Sequence, residues 1–137
     1  MLGEKGEELS ALVVDDNQEI LTLFIELLKL KKFTVIGKGE NGKEAVELYN
    51  SLKPDITFLD VSMPNGDGIY ALERIREVSP NAIVIMVTSD VSTTTAERLE
   101  QLRASAIVYK PFDIEDIVKI VKRLLSETNV DQLKFFN

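Results

Sequence analysis

The chain reads as a single α/β domain in which five βα units wind a parallel sheet with helices on both sides. Two observations predict this. Short apolar runs rich in Val and Ile alternate with longer amphipathic segments, the order expected of successive βα units. Four of those runs also end on polar residues: Asp15 and Asp16, Asp60, Thr88 and Lys110. Parallel strands bring their carboxyl ends to one edge, so residues far apart in sequence would meet there.

Taken in order, strands are expected near 11–15, 33–37, 55–60, 82–88 and 106–109. Helices are expected near 17–31, 41–52, 66–78, 93–103 and 113–126. In the first helix Ile20, Leu23, Phe24, Leu27 and Leu28 follow helical spacing, with Glu19, Glu26 and Lys29 on other faces. The glycine turn Gly37-Lys38-Gly39-Glu40-Asn41-Gly42 precedes and caps the second helix. The run 56–59 is apolar apart from Thr57, and 83–87 is apolar throughout, as strands covered on both faces should be. Between them Pro64, Gly66 and Gly68 mark a stiff turn before the third helix. Ser92-Thr93-Thr94-Thr95 offers caps for the fourth helix in more than one register. The last helix carries Ile114, Ile117, Val118, Val121, Leu124 and Leu125 on its inward face. Residues 1–9 read as a polar lead-in and 127–137 as a C-terminal tail, with the domain between, at 10–126.

Composition narrows the chemistry. The 137 residues suit one core. The net charge of −7 disfavours direct contact with a nucleic-acid backbone, and the basic cluster Lys29, Lys31 and Lys32 reads as a solvated helix end. There is no Cys and no His. Thiolate chemistry is therefore excluded, together with the commonest general base, and any metal must be held through oxygen, which favours Mg²⁺. The acidic N-terminus is not a secretory signal, and the longest apolar run, 82–87, is too short to span a bilayer. A cytoplasmic location is the expectation.

The five strand-end residues each have a plain reading. An Asp at a strand-to-helix junction is usually a cap, Thr88 could sit in an ordinary turn, and Lys110 could be a surface lysine. Together they make an acidic cup with one fixed cation. Adjacent carboxylates repel and call for a cation, and a carboxylate in line with phosphorus, with metal on the phosphoryl oxygens, is a competent nucleophile. A cis bond before Pro111 would aim Lys110 into the cleft.

The run Val13-Val14-Asp15-Asp16, then Leu59-Asp60-Val61-Ser62-Met63-Pro64 with Asp67-Gly68, then Val87-Thr88-Ser89 and Tyr109-Lys110-Pro111-Phe112, resembles a response-regulator receiver domain of two-component signalling from about residue 10 to 126. The resemblance implies a flavodoxin/CheY-like fold with strand order 2-1-3-4-5. It implies that Asp60 is the phosphoacceptor, and that Asp15, Asp16 and Asp60 bind Mg²⁺ (or Mn²⁺) with the backbone carbonyl of Ser62. It also implies that Thr88 and Lys110 read the phosphoryl group, and that Ser62 and Asp90 tune the lifetime of the phosphorylated state. The donor would be a sensor histidine kinase or a His-phosphotransfer protein. The chain would not be an enzyme beyond its own phosphorylation and slow autodephosphorylation. Its output would pass to a protein target through the face of the fourth helix, fifth strand and fifth helix. Two positions depart from the family. Ile107 replaces the Tyr or Phe common three residues before the lysine, so an aromatic-flip switch is not expected. Arg103 replaces a frequent Gly and suggests a longer fourth helix or an altered partner surface.

Other readings compete. Gly37 to Gly42 is a literal G-x-G-x-x-G, but it follows the second strand instead of the first. An aspartate-based phosphatase would need a second Asp where Ser62 stands. A receiver-like interaction module acting without phosphorylation would typically have lost one of the five residues. The segment Ala104-Ser105-Ala106 lacks the acids of the salt-bridged dimer of OmpR-like transcription factors, so a monomer is expected, with a phosphorylation-dependent dimer as the alternative. With no output domain following, the chain reads as a stand-alone regulator or a piece of a longer one.

Overall fold

The computed structural model describes residues 8–136, with side-chain surroundings given through residue 127 apart from Gly66. Its elements are β1 (Ser10–Val14), α1 (Gln18–Leu30), β2 (Thr34–Gly39), α2 (Gly42–Leu52), β3 (Ile56–Asp60), a 3₁₀ turn (Pro64–Gly66), α3 (Asp67–Val78), β4 (Ile83–Thr88), α4 (Thr93–Gln101), β5 (Ala106–Tyr109) and α5 (Ile114–Phe136). The five strands are parallel in the order β2-β1-β3-β4-β5, as expected.

Strand alternation divides the core between the two faces of the sheet. Ala11, Val13, Ile56, Phe58, Ile85, Val87 and Val108 face one side, where Leu21, Phe24, Ile25 and Leu28 of α1 and Ile117 and Val121 of α5 cover them. Leu12, Val14, Leu59, Val84 and Met86 face the other, against Ala45 and Tyr49 of α2, Ala71, Leu72 and Ile75 of α3, and Leu99 of α4. Every residue of β3 is buried. On the α1/α5 side Phe24 packs against two more rings, 5.1 Å from Phe58 and 4.8 Å from Phe112 between ring centroids. The inward face of α1 is rotated from the expected one: Leu21 and Ile25 are buried, while Leu23 is 60% exposed. The helix is apolar on more than one face, so spacing alone could not choose between them.

Helix ends account for the remaining differences. Asn17 caps α1, accepting from the Glu19 and Ile20 amides at 3.0 and 3.1 Å, so Asp15 and Asp16 are not its cap. Lys31 pairs with Glu115 of α5 at the other end. Asn41, not a glycine, caps α2 through the Glu44 amide at 2.8 Å. Gly37 and Gly39 lie within β2, where Gly37 lets Leu52 pack close: a Cβ there would meet Leu52 at 2.7 Å. Leu9, assigned to the lead-in, is buried, and its carbonyl accepts from the Thr34 amide. At the C-terminus α5 continues past the predicted end at 126 to Phe136, because no Gly or Pro interrupts it. Residues 1–7 and 137, and the side chains of Leu133, Phe135 and Phe136, lie outside the described residues.

Arg103 does not lengthen α4. The helix ends at Gln101, and Arg103 takes the left-handed position that favours glycine, with φ of 60°. The Arg103 amide bonds the Glu100 carbonyl and the Ala104 amide bonds the Leu99 carbonyl, closing a Schellman turn. The Arg103 carbonyl is then captured by the buried guanidinium of Arg76, at 3.0 Å from Nε and 2.7 Å from Nη2. Arg76 also donates to the Ala82 carbonyl and to Ser105 Oγ, tying α3 to the start of β4 and β5. Burial lowers the pKa of Arg76, and the nearby Arg103 charge lowers it further.

Two substitutions test this account. Gly68→Ala would put a Cβ 2.2 Å from the Asp60 carbonyl oxygen and 2.7 Å from the Val61 Cα. Backbone must move to relieve it, so stability measured by urea unfolding should fall by about 2 kcal/mol or more. Arg103→Gly relieves the left-handed strain and one repulsion on Arg76, and should raise stability by about 1 kcal/mol.

Candidate functional site

The carboxyl edge of the sheet is extended one residue past several strands by backbone hydrogen bonds. The Asp15 amide donates to the Gly39 carbonyl (3.1 Å), the Val61 amide to Val87 (3.0 Å) and the Lys110 amide to Thr88 (2.8 Å). The ladder therefore positions Asp15 and Lys110 almost as firmly as a strand interior. Asp60 and Thr88 are themselves the last residues of β3 and β4.

All five strand-end residues lie on this edge. Asp15 and Asp60 are each 3% exposed, whereas Asp16 is exposed. Ligand oxygens of Asp15, Asp16 and Asp60 lie within 4.8 Å of one another. Lys110 Nζ is 2.9 Å from Asp15 Oδ2 and 3.6 Å from Asp60 Oδ2, and the Lys110–Pro111 peptide is cis. Lys110 is thus not a surface lysine. It is the cation between two buried carboxylates. The Asn17 amide donates to Asp15 Oδ1 at 2.9 Å, and the Ser62 amide donates to Asp60 Oδ1 at 3.0 Å. Thr88 is fully buried, with Oγ1 3.2 Å from Ser62 Oγ and accepting from the Asp90 amide at 2.9 Å.

Electrostatics follow from this packing. Burial pushes the Asp60 carboxyl above the usual carboxylate range. The Ser62 amide pulls it back, the Asp15 charge pushes it up again, and Lys110 opposes both raising effects without cancelling them. The donor set is entirely oxygen, two of its three carboxylates are desolvated, and Lys110 alone neutralises only part of their charge. Such a set fits a hard divalent cation such as Mg²⁺.

Two further carboxylates support the loops at this edge: Asp67, and Asp90, which the family resemblance places among the lifetime-tuning positions. The Asp67 carboxylate accepts from the Gly42 amide at 3.1 Å, joining the turn before α3 to the start of α2. A Cβ on Gly42 would meet the Asp67 carbonyl at 2.6 Å. The loop after β4 is held by Asp90, which accepts from the Ser92 amide and from Thr95 Oγ1. The adjacency of Asp67 to Gly68, and of Asp90 to a run of hydroxyls, is the signal that could have suggested these roles. Ile107 is half-buried against the α2/α3/α4 side of the core, whereas Tyr109 on the same strand is 42% exposed.

The stability of the metal-free protein should report the carboxylate crowding. A carboxyl with a raised folded pKa binds protons more readily folded than unfolded. Its contribution is present below the unfolded value of 3.8 and is lost as pH rises through the folded one. In chelator, Asp60→Asn should therefore melt above wild type at pH 7.5, with the gap closing as pH falls towards 4; the check is thermal unfolding across that pH range.

Comparison with known proteins gives a consistent picture. The Response regulator receiver domain family matches residues 11–122. Chemotaxis protein CheY of Listeria monocytogenes is 33% identical over 84% of this chain and 97% of its own length. A protein-glutamate methylesterase/protein-glutamine glutaminase of Methanococcoides burtonii is 36% identical over 94% of this chain, which spans 39% of that protein. Among solved structures, one from the CheX-CheY-BeF3-Mg²⁺ complex of Borrelia burgdorferi superposes with a TM-score of 0.82 at 28% identity, covering 88% of this chain and 92% of that one. With the sheet order, the acidic edge and these matches in agreement, the chain belongs to the response regulator receiver domain family of two-component signalling.

Proposed function

We propose that this receiver is a phosphorylation switch whose acceptor is Asp60, within a receiver unit spanning residues 10–126. The observation that carries the reading is the pairing of one lysine with two buried carboxylates, Lys110 with Asp15 and Asp60, on the edge where Asp16 and Thr88 also lie. Asp15, Asp16, Asp60 and the Ser62 carbonyl would hold Mg²⁺, with Mn²⁺ as a substitute. That ion, when bound, supplies the charge that lets an anionic carboxylate approach an anionic phosphoryl group.

An Asp60 carboxylate oxygen attacks phosphorus, and the P–N bond of a phosphohistidine breaks. The bonding electrons return to the imidazole nitrogen. The donor histidine lies outside these 137 residues, which contain no His, on a sensor histidine kinase or a His-phosphotransfer protein. Thr88 and Lys110 then receive the phosphoryl oxygens, the hydroxyl as a hydrogen-bond donor and the ammonium as a point charge. Asp60 is already oriented for this by the Ser62 amide on its other oxygen. The new charge alters the loop after β4 and, through it, the α4–β5–α5 face that meets a downstream protein. Among the described residues no helix is long and apolar enough to cross a membrane.

Acetyl phosphate provides the direct test. With Mg²⁺ or Mn²⁺ the intact mass should rise by one phosphoryl group; Asp60→Asn or added chelator should abolish the adduct. Absence of an adduct in wild type with either metal would refute Asp60 as acceptor and favour an interaction module that works without phosphorylation. Asp15→Asn should weaken Mg²⁺ binding roughly tenfold or more, as seen by titration calorimetry. Lys110→Met should leave metal binding intact and slow adduct formation.

A further inference from the structure

Beyond the residues facing the acidic edge, one short network connects that edge to a helix. Thr88 Oγ1 has one proton and two lone pairs, and the Asp90 amide occupies one lone pair at 2.9 Å. Only Ser89 separates the two residues. The Asp90 carboxylate is itself held at both oxygens. Oδ1 accepts from the Ser92 amide at 2.8 Å, and Oδ2 accepts from Thr95 Oγ1 at 2.6 Å. Ser92 is the α4 cap, accepting from the Thr95 amide at 3.3 Å. The Thr95 and Ser92 donors hold the Asp90 carboxyl below the usual carboxylate range, which agrees with an ionised acceptor.

We propose that Asp90 is a positioning residue whose carboxylate latches the first turn of α4 to the loop, so that the Thr88 hydroxyl and the α4 N-terminus share one linked arrangement. The proposal deepens the phosphorylation reading above and rests on it for its use. The Thr88 backbone is fixed, because its carbonyl accepts the Lys110 amide at 2.8 Å. Any approach to a phosphoryl group is therefore left to its side chain, whose hydroxyl also lies 3.2 Å from Ser62 Oγ. If the hydroxyl is drawn to a phosphoryl group on Asp60, the Asp90 amide either loses its acceptor or follows. Asp90 cannot follow while its carboxylate grips Ser92 and Thr95. Recruitment of Thr88 therefore costs the Asp90 amide its acceptor unless Asp90 lets go of Ser92 and Thr95, which couples recruitment to release of the α4 cap. In the resting state the latch opposes recruitment, and Ile107 need supply no ring for the signal to reach α4. The hydroxyl run 92–95 is resolved by this network into one register, because Asp90 selects Thr95 and leaves Thr93 and Thr94 outside it.

Amide hydrogen exchange by NMR on the full chain, without phosphodonor, tests the linkage. Thr95→Val should speed exchange at the Asp90 amide about tenfold, as expected for loss of one net hydrogen bond, and Thr95→Ser should restore it. Thr88→Val should in turn speed exchange at the Thr95 and Ala96 amides, while Thr88→Ser behaves as wild type. If Thr88→Val leaves those two amides within about twofold of wild type, the latch is refuted. Acetyl phosphate then tests its use. Thr95→Val should be modified several-fold faster than wild type and Thr95→Ser at the wild-type rate; equal rates for wild type and Thr95→Val would refute the regulatory role. Wild type that accepts no phosphoryl group would instead overturn Asp60 as acceptor, and the exchange comparison would still decide the latch.

Discussion

Two carboxylates buried against one lysine are the constraint around which this molecule is organised. Asp15 and Asp60 are almost wholly removed from water, and Lys110 is the cation paired with both. Desolvated like charges disfavour the folded state unless strongly held, so their positions must be enforced by something stiff. The sheet does this. β1 and β3 are adjacent, buried on both faces, and in register from Ala11 opposite Ile56 to Val14 opposite Leu59. A one-residue slip would turn every core side chain to the wrong layer, so the apolar register also fixes where the acids stand.

The same logic explains the supporting loops. Each acid gives one oxygen to a backbone amide two residues on, from Asn17 and Ser62. That leaves the other oxygen directed at Lys110 in both cases. Gly68 allows the chain after Asp60 to pass within reach of the β3 backbone, where a Cβ would collide with the Asp60 carbonyl. At the opposite edge of the sheet, Arg76 gathers the Arg103 and Ala82 carbonyls and so fixes the end of α4 against α3. The fold thus braces α4 at its C-terminal end through Arg76 and at its N-terminal end through Asp90, with only the second brace connected to the acidic edge.

Much of this is legible in the amino-acid sequence. Alternation and apolar runs marked all five strands to within two residues, because strands covered on both faces leave a strong composition signal. The strand-end residues stood out because a polar group directly after such a run needs a reason. Helix ends were less legible. The αL turn at Arg103 contradicts local propensity and is stabilised by Arg76, twenty-seven positions away. Leu23 and Leu21 both fit a helical stripe, and only packing against Phe58 and its neighbours chose the face.

Sequence by itself determined the sheet, the order of the βα units and the identity of the five polar strand ends, since these depend on periodicity and chain order. Tertiary structure decided which of those five are buried, that Lys110 bridges Asp15 and Asp60, that Asn17 and Asn41 serve as caps, and that Asp90 joins Thr88 to α4. These depend on distances between elements remote in sequence, and on side-chain choices among several local partners that become unequal only once the elements have packed.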